Sequence, residues 1–153
     1  MARTTIADLL VEARSRIEPR LDPASARAAC ERGALIVDLR SRDERSRNGV
    51  IPGSIHIPRS VLEWRLDPDS DWTNPHVGGL ERELVLVCAD GYSSSLAAAS
   101  LRTLGFGRAT DMVGGFTAWR EAGLPVIPAP GAEPRPGELS GMGPPDSGEP
   151  PAA

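Results

Sequence analysis

Residues 84–106 read LVLVCADGYSSSLAAASLRTLGF. An apolar run ends on Cys88, passes through a short turn containing Gly91, and opens into a segment rich in serine and alanine. The run ELVLVC predicts a strand buried on both faces, with Cys88 as its last residue. Residues 94–104 predict a helix closed by Gly105. A strand turning this tightly into a helix aims successive backbone N–H groups at one point, and the positive end of the helix adds to them. Gly91 allows backbone angles that other residues resist. An anion at that point is stabilised. The Cys88 thiolate is such an anion, so its pKa is expected below the free-thiol value of about 8.5. The same residues also fit a core cysteine that merely ends a strand.

Upstream, Ile6, Leu9, Leu10, Ala13 and Ile17 recur at helical spacing, which predicts an amphipathic helix over residues 4–17. Docking onto the domain is the preferred role for that face, ahead of a partner helix. Asp22 is a good N-cap, Pro23 suits the first helical turn, and Gly33 closes the helix. ALIVDL then reads as a second buried strand. Cys30, late in the helix among alanines, reads as a small buried thiol. SIHI is a short strand, and SVLEWRL a short helix with Ser60 as its cap. ATDMV is a further strand, GGFTAWREAG a short helix, and LPVIP leaves the domain. A fifth strand, at Arg20-Leu21, would be short.

Strands alternating with helices predict an α/β fold: a four- to five-stranded, mainly parallel sheet with helices on both faces. The expected organisation is an N-terminal docking helix over residues 1–19, a domain over 20–127, and a tail over 128–153. Nine of the fifteen prolines fall from Pro125 onward. The tail has almost no large apolar residues from which to build a core, so a disordered Pro/Gly-rich segment is expected. A proline-motif ligand is the minority reading.

The net charge of -4 gives no basic face for nucleic acid, and the N-terminus carries charges where a secretory or spanning segment needs an apolar core. Two cysteines do not make a disulfide framework, so free thiols and a cytoplasmic location are the expectation, with no membrane partner.

Four segments, in order, resemble the single-domain rhodanese (sulfurtransferase) family. LIVDLRSRDE looks like its strand ending in Asp-x-Arg, and GVIPGSIHIP like its Gly-His-Ile-Pro-Gly segment. LVLVCADGYSSSLAAASLRTLGF looks like its active-site strand, loop and helix, and DMVGGFTAWREAGLPV like its closing Gly-Gly-x-x-x-Trp segment. The resemblance covers residues 21–126. It implies a rhodanese-like fold and a catalytic Cys88 that carries a persulfide between a small sulfur donor and a thiol or cyanide acceptor. A protein acceptor is compatible with it. No metal or organic cofactor is implied. Ala89, Asp90, Gly91, Tyr92, Ser93 and Ser94 would form the anion-binding loop. Asp38 would anchor loop amides, and Arg40 would pair with Asp43 or Glu44, both as structural support.

The chain departs from that pattern at two places. The family loop reads Cys-x-x-Gly-x-Arg-Ser, whereas Ser93 stands here at the arginine position and Asp90 adds a negative charge. Both push the thiol upward and weaken a grip on thiosulfate, by roughly 1.5–3 kcal/mol for one charged hydrogen bond. The family histidine of the second segment is Val50 here, while His56 and His76 read as packing or surface residues. Arg59 and Trp64 are candidate substrate contacts, a compensating cation and a pocket wall. A related phosphatase loop would need an arginine to grip phosphate, and positions 93 and 94 are both serine. The serious alternative to a transferase is a rhodanese-like binding or regulatory module with weak catalysis.

Overall fold

The computed structural model describes residues 2–130 and 139–147. Helix α1 (Ile6–Arg16) opens with a reciprocal capping box between Thr5 and Asp8. Helix α2 (Pro23–Glu31) starts at the Asp22 cap. Then come β1 (Leu35–Asp38), α3 (Arg42–Asn48), β2 (Ile55–His56) and a 3-10 turn (Arg59–Val61) that runs into α4 (Leu62–Leu66). Strand β3 (Leu84–Val87), α5 (Ser93–Thr103), β4 (Ala109–Asp111) and α6 (Gly115–Glu121) complete the order. No described helix is long and apolar enough to cross a membrane.

The strands form one parallel sheet in the order β2-β1-β3-β4. The period-2 geometry of a strand sorts its side chains into two cores. Leu35, Val37, Leu84 and Leu86 pack with residues of α1, α4 and α5 on one face. Ile36, Val85 and Val87 pack with residues of α2 and α6 on the other, which is why the strand sequences read as unbroken apolar runs. Strand β1 leads into α3 and β3 into α5, so both connections open at the same sheet end and put Leu39, Arg40 and Cys88 around one pocket.

Several expectations need correction. Cys88 lies one residue past β3, not at its end. The fifth strand reduces to a single parallel bridge between Leu21 and Met112. Ser60 caps nothing, because a 3-10 turn precedes α4 and neither has a side-chain cap. Helix α1 docks on α5 through buried Ala13 and Ile17, but Ile6 and Leu9 remain exposed, so only part of its apolar face is covered. The segment LPVIP does not leave: Ile127 pairs antiparallel with Val50 through two backbone hydrogen bonds of 2.8 and 2.9 Å.

The expected disordered tail is the largest correction. Residues 131–138 and 148–153 lie outside the described residues, but 139–147 pack on the domain. Asp146 is buried, accepts from Arg45 at 2.9 Å, and exchanges backbone hydrogen bonds with Gly53 and Ser54. Asn74 donates to the carbonyls of Gly141 and Gly143, and Arg65 to that of Ser140. Low apolar content rules out a core, but this strap is held by backbone groups and one ion pair instead.

Asp146→Ala should therefore lower stability by about 2 kcal/mol, below the cost of fully stranding a buried charge, because Arg45 keeps Asp38. The check is the urea midpoint at constant slope. An unmoved midpoint means the strap is not held in solution.

Candidate active site

Two close backbone contacts shape the loop after β3. Gly91 has φ +87, and a Cβ there would sit 2.7 Å from the Gly114 nitrogen. Gly115, at φ +61, passes so near that a Cβ would lie 2.5 Å from the Cys88 carbonyl oxygen. Side chains at these positions would force the segments apart. In their absence, Phe116 and Thr117 donate backbone N–H bonds to the carbonyls of Cys88 and Ala89 at 2.9 and 3.0 Å. The loop carbonyls are thus tied to α6, and the Gly91 N–H points inward to Cys88 Sγ at 3.2 Å.

The Cys88 thiol also donates to Ser94 Oγ at 3.3 Å. Burial pushes the thiol pKa up, but the Ser94 and Ser93 hydroxyls and the Ser94 and Gly91 amides outweigh it. The net result is a thiol held below its ordinary value. Helix α5 begins at Ser93 and directs its positive end at the same place. Cys30 differs: burial pushes its thiol up, and the Glu83 charge adds to that.

Cys88, itself 7% exposed, lines an open pocket of about 280 Å³. The pocket is lined by Cys88, Ala89, Asp90, Tyr92 and Ser93 from the loop, by Leu39 and Arg40 from the β1–α3 turn, and by Glu44 from α3. Asp90 is exposed and accepts from Thr117 at 2.9 Å. Tyr92 is exposed, with the Arg14 guanidinium over its ring. Ser94 is fully buried.

Asp38 and Arg40 are buried and bonded to each other. Asp38 accepts the Arg40 amide and both the Arg40 and Arg45 guanidiniums, but no amide of the 88–94 loop, so its anchoring is confined to its own turn. Burial alone would push its carboxyl up; the two arginines outweigh this and hold it below the ordinary carboxylate range. Arg40 does not pair with Asp43 or Glu44. Asp43 is taken by Arg47 and Glu44 by the Ser41 cap, whereas Arg40 stacks on the Phe116 ring at 3.6 Å. Arg40 Nη1 is buried without an acceptor among the described residues.

Arg59 and Trp64 are not in the site. Arg59 pairs with Glu63, one turn along. Glu63 accepts from Ser100 near the far end of α5, which places this segment along the helix body rather than at its start. Trp64 is 58% exposed. His56 is a packing residue whose ring bonds the Arg40 carbonyl; burial lowers its pKa, and the Arg45 charge adds to that.

A second set of residues, unmarked in the sequence, lies behind the loop. Asp111 ends β4 with no exposed surface and accepts from Ser94, Ser95 and Arg20. Arg14 and Arg20 both donate to the Gly91 carbonyl, at 2.9 and 3.1 Å. Their partners lie 71–91 residues away in the chain, and no local pattern announces such a pairing.

The rhodanese-like domain family matches residues 22–122. The thiosulfate sulfurtransferase GlpE of Pseudomonas syringae pv. syringae is 35% identical over 102 residues, covering 66% of this chain and 86% of its own. A Rhodopseudomonas palustris structure of unknown function, described as a possible tyrosine phosphatase, is 38% identical with a TM-score of 0.72, covering 82% of this chain and 98% of its own. The human single-domain sulfurtransferase TSTD1 is 30% identical with a TM-score of 0.55, covering 67% and 96%.

The two thiols should separate by reactivity. Cys30 is the more exposed, so access alone favours it. The thiolate is the nucleophile, however, and iodoacetamide at pH 8 should label Cys88 at least about tenfold faster. Peptide mass mapping of a time course checks the order, and preferential labelling of Cys30 would refute it.

Proposed function

The chain belongs to the rhodanese-like domain family, and from that premise we propose that it is a sulfurtransferase working through a Cys88 persulfide. The observation that carries the reading is Cys88: the residue lines an open pocket, and its sulfur has an amide N–H aimed at it and a depressed pKa. A thiolate so held attacks the outer sulfur of thiosulfate. The new bond is Cys88 S–S, the bond broken is the donor S–S bond, and its electron pair leaves with sulfite. An acceptor thiolate or cyanide then attacks the terminal sulfur of the persulfide, and Cys88 leaves as the thiolate it began as. No proton transfer is required in either step, which fits a pocket with no histidine in its lining.

Thiosulfate and a thiol persulfide are both candidate donors. The name of the GlpE relative favours the first. Glu44 and Asp90 on the pocket wall favour the second, since they repel a dianion. Arg40, in the same wall, takes over, as a fixed positive charge, the compensating role expected of Arg59. Small donors and thiol acceptors suffice as partners, and a reducing compartment such as the cytoplasm keeps Cys88 free. The phosphatase description of the Rhodopseudomonas neighbour is not carried over, because no arginine stands in the 88–94 loop to grip a phosphate. The acidic wall also favours the second reading, a weakly catalytic binding module.

Incubation with thiosulfate, or with a small thiol persulfide, should add one sulfur atom, ~32 Da, to the intact protein. The gain should persist in Cys30→Ser and vanish in Cys88→Ser. Unchanged mass with both donors leaves the binding module. Ser93→Arg should raise kcat/KM for thiosulfate by about tenfold, from one added charged hydrogen bond. Unchanged steady-state kinetics would mean that donor capture is not limited by that missing charge.

A further inference from the structure

Asp111 is a fully buried carboxylate with four donors: Arg20 Nε at 2.7 Å, Arg20 Nη2 at 3.1 Å, and the Ser94 and Ser95 hydroxyls at 2.8 Å each. Ser94 has only one proton to give. In the thiol state that proton goes to Asp111, while the Cys88 S–H donates to the Ser94 oxygen. A thiolate can only accept. For the Cys88 thiolate to gain the Ser94 hydroxyl as a donor, beside the Gly91 amide, the Ser94 O–H must turn from Asp111 to sulfur. Asp111 then keeps three donors, from Ser95 and from both guanidinium nitrogens, so releasing Ser94 costs it little.

We propose that Arg20, Asp111 and Ser95 form a positioning chain that frees the Ser94 hydroxyl for the Cys88 thiolate, and that Arg14 and Arg20 brace the loop from behind. The bracing is geometric. Both guanidiniums hold the Gly91 carbonyl, and Gly91 is the residue whose N–H meets Sγ. Arg14 also donates to Ser95 at 3.1 Å. Both arginines precede residue 22, outside the span of the family match, so the N-terminal segment supplies to the back of the loop the cation missing from position 93.

The charges near the sulfur can be sorted by origin. Arg14 comes from α1, Arg20 from the segment before α2, and Asp111 from β4. Arg40 comes from the β1–α3 turn, Glu44 from α3, and Asp90 with the Tyr92 phenol from the loop. Substitutions at Arg20, Asp111 and Ser95 leave the pocket-side groups in place, so their effects report on the chain behind.

The proposal rests on Cys88 being the reacting group of the site, but its test needs no sulfur donor. On the full chain carrying Cys30→Ser, the rate of iodoacetamide alkylation against pH gives the Cys88 ionisation midpoint. Arg20→Gln leaves the Asp111 charge uncompensated beside Ser94 and should raise the midpoint by about one pH unit. Asp111→Asn leaves the Arg20 cation alone there and should lower it by about one. Ser95→Ala removes one of the spare donors and should raise it by about half a unit. A purely structural pair would not move the midpoint in opposite directions. Equal midpoints in all three variants, or Arg20→Gln and Asp111→Asn shifting together, overturn the proposal. Should either charge variant fail to fold, Ser95→Ala decides alone, since it deletes one hydroxyl: a raised midpoint supports the chain and an unmoved one ends it. A protein with the expected midpoints that gains no sulfur keeps the chain and loses the transferase.

Discussion

The close approach of the Gly114-Gly115 backbone to the Cys88–Gly91 loop is the contact on which the rest of the site depends. With side chains at neither Gly91 nor Gly115, two α6 amides can satisfy the carbonyls of Cys88 and Ala89. A loop whose carbonyls are bound on its outer side has its N–H groups available on the inner side. Against the cost of desolvation, the Ser94 and Ser93 hydroxyls, then the Ser94 and Gly91 amides that this polarity turns inward, and no charged side chain of the loop, keep a buried thiol below its ordinary pKa. Asp90 does not undo it, because its carboxylate is exposed and bonded to Thr117.

The parts of this fold that were legible in the sequence are those whose causes are local. Asp22, Pro23 and Gly33 bound their helix by capping and backbone preference, and the apolar runs at β1 and β3 could belong only to strands covered on both faces. The cysteine turn was legible for the same reason: strand, glycine and helix start fall within a dozen residues. Arg59 and Trp64 were misplaced because periodicity assigns a side chain to a helix face but says nothing about which end of α5 that helix lies against. The 139–147 segment departs from the disorder expected of the tail because composition reports whether a segment can form a core, while this one is held by an ion pair and hydrogen-bonded backbone groups. Asp111 looked like an ordinary strand residue until topology brought Arg20 and Ser94 to it.

Two segments outside a bare α/β unit brace the site from opposite sides. The N-terminal segment reaches the back of the loop through Arg14 and Arg20. The 139–147 strap reaches the pocket wall less directly: Asp146 holds Arg45, Arg45 holds Asp38, and Asp38 holds Arg40. Each link is a buried, charge-assisted hydrogen bond, so each fixes a direction as well as an energy. Arg40 is thereby fixed in the pocket wall, over the Phe116 ring.

An arginine inside the loop would do two jobs at once, favouring the thiolate and gripping an anionic donor. On the transferase reading, those jobs fall here to different residues. Arg20 sits behind the loop, bonded to Asp111 and to a backbone carbonyl, where it acts on the sulfur only through Ser94 and Gly91 and cannot touch a donor in the pocket. The donor side retains Arg40 against Glu44 and Asp90, a wall whose formal charges sum to a net negative value. A net negative wall repels a dianion such as thiosulfate more than a donor of lower charge. On that reading, sulfur activation and donor capture are therefore separable in this chain. On the transferase reading, weak turnover of thiosulfate would come from poor capture of the donor, with the nucleophile itself intact.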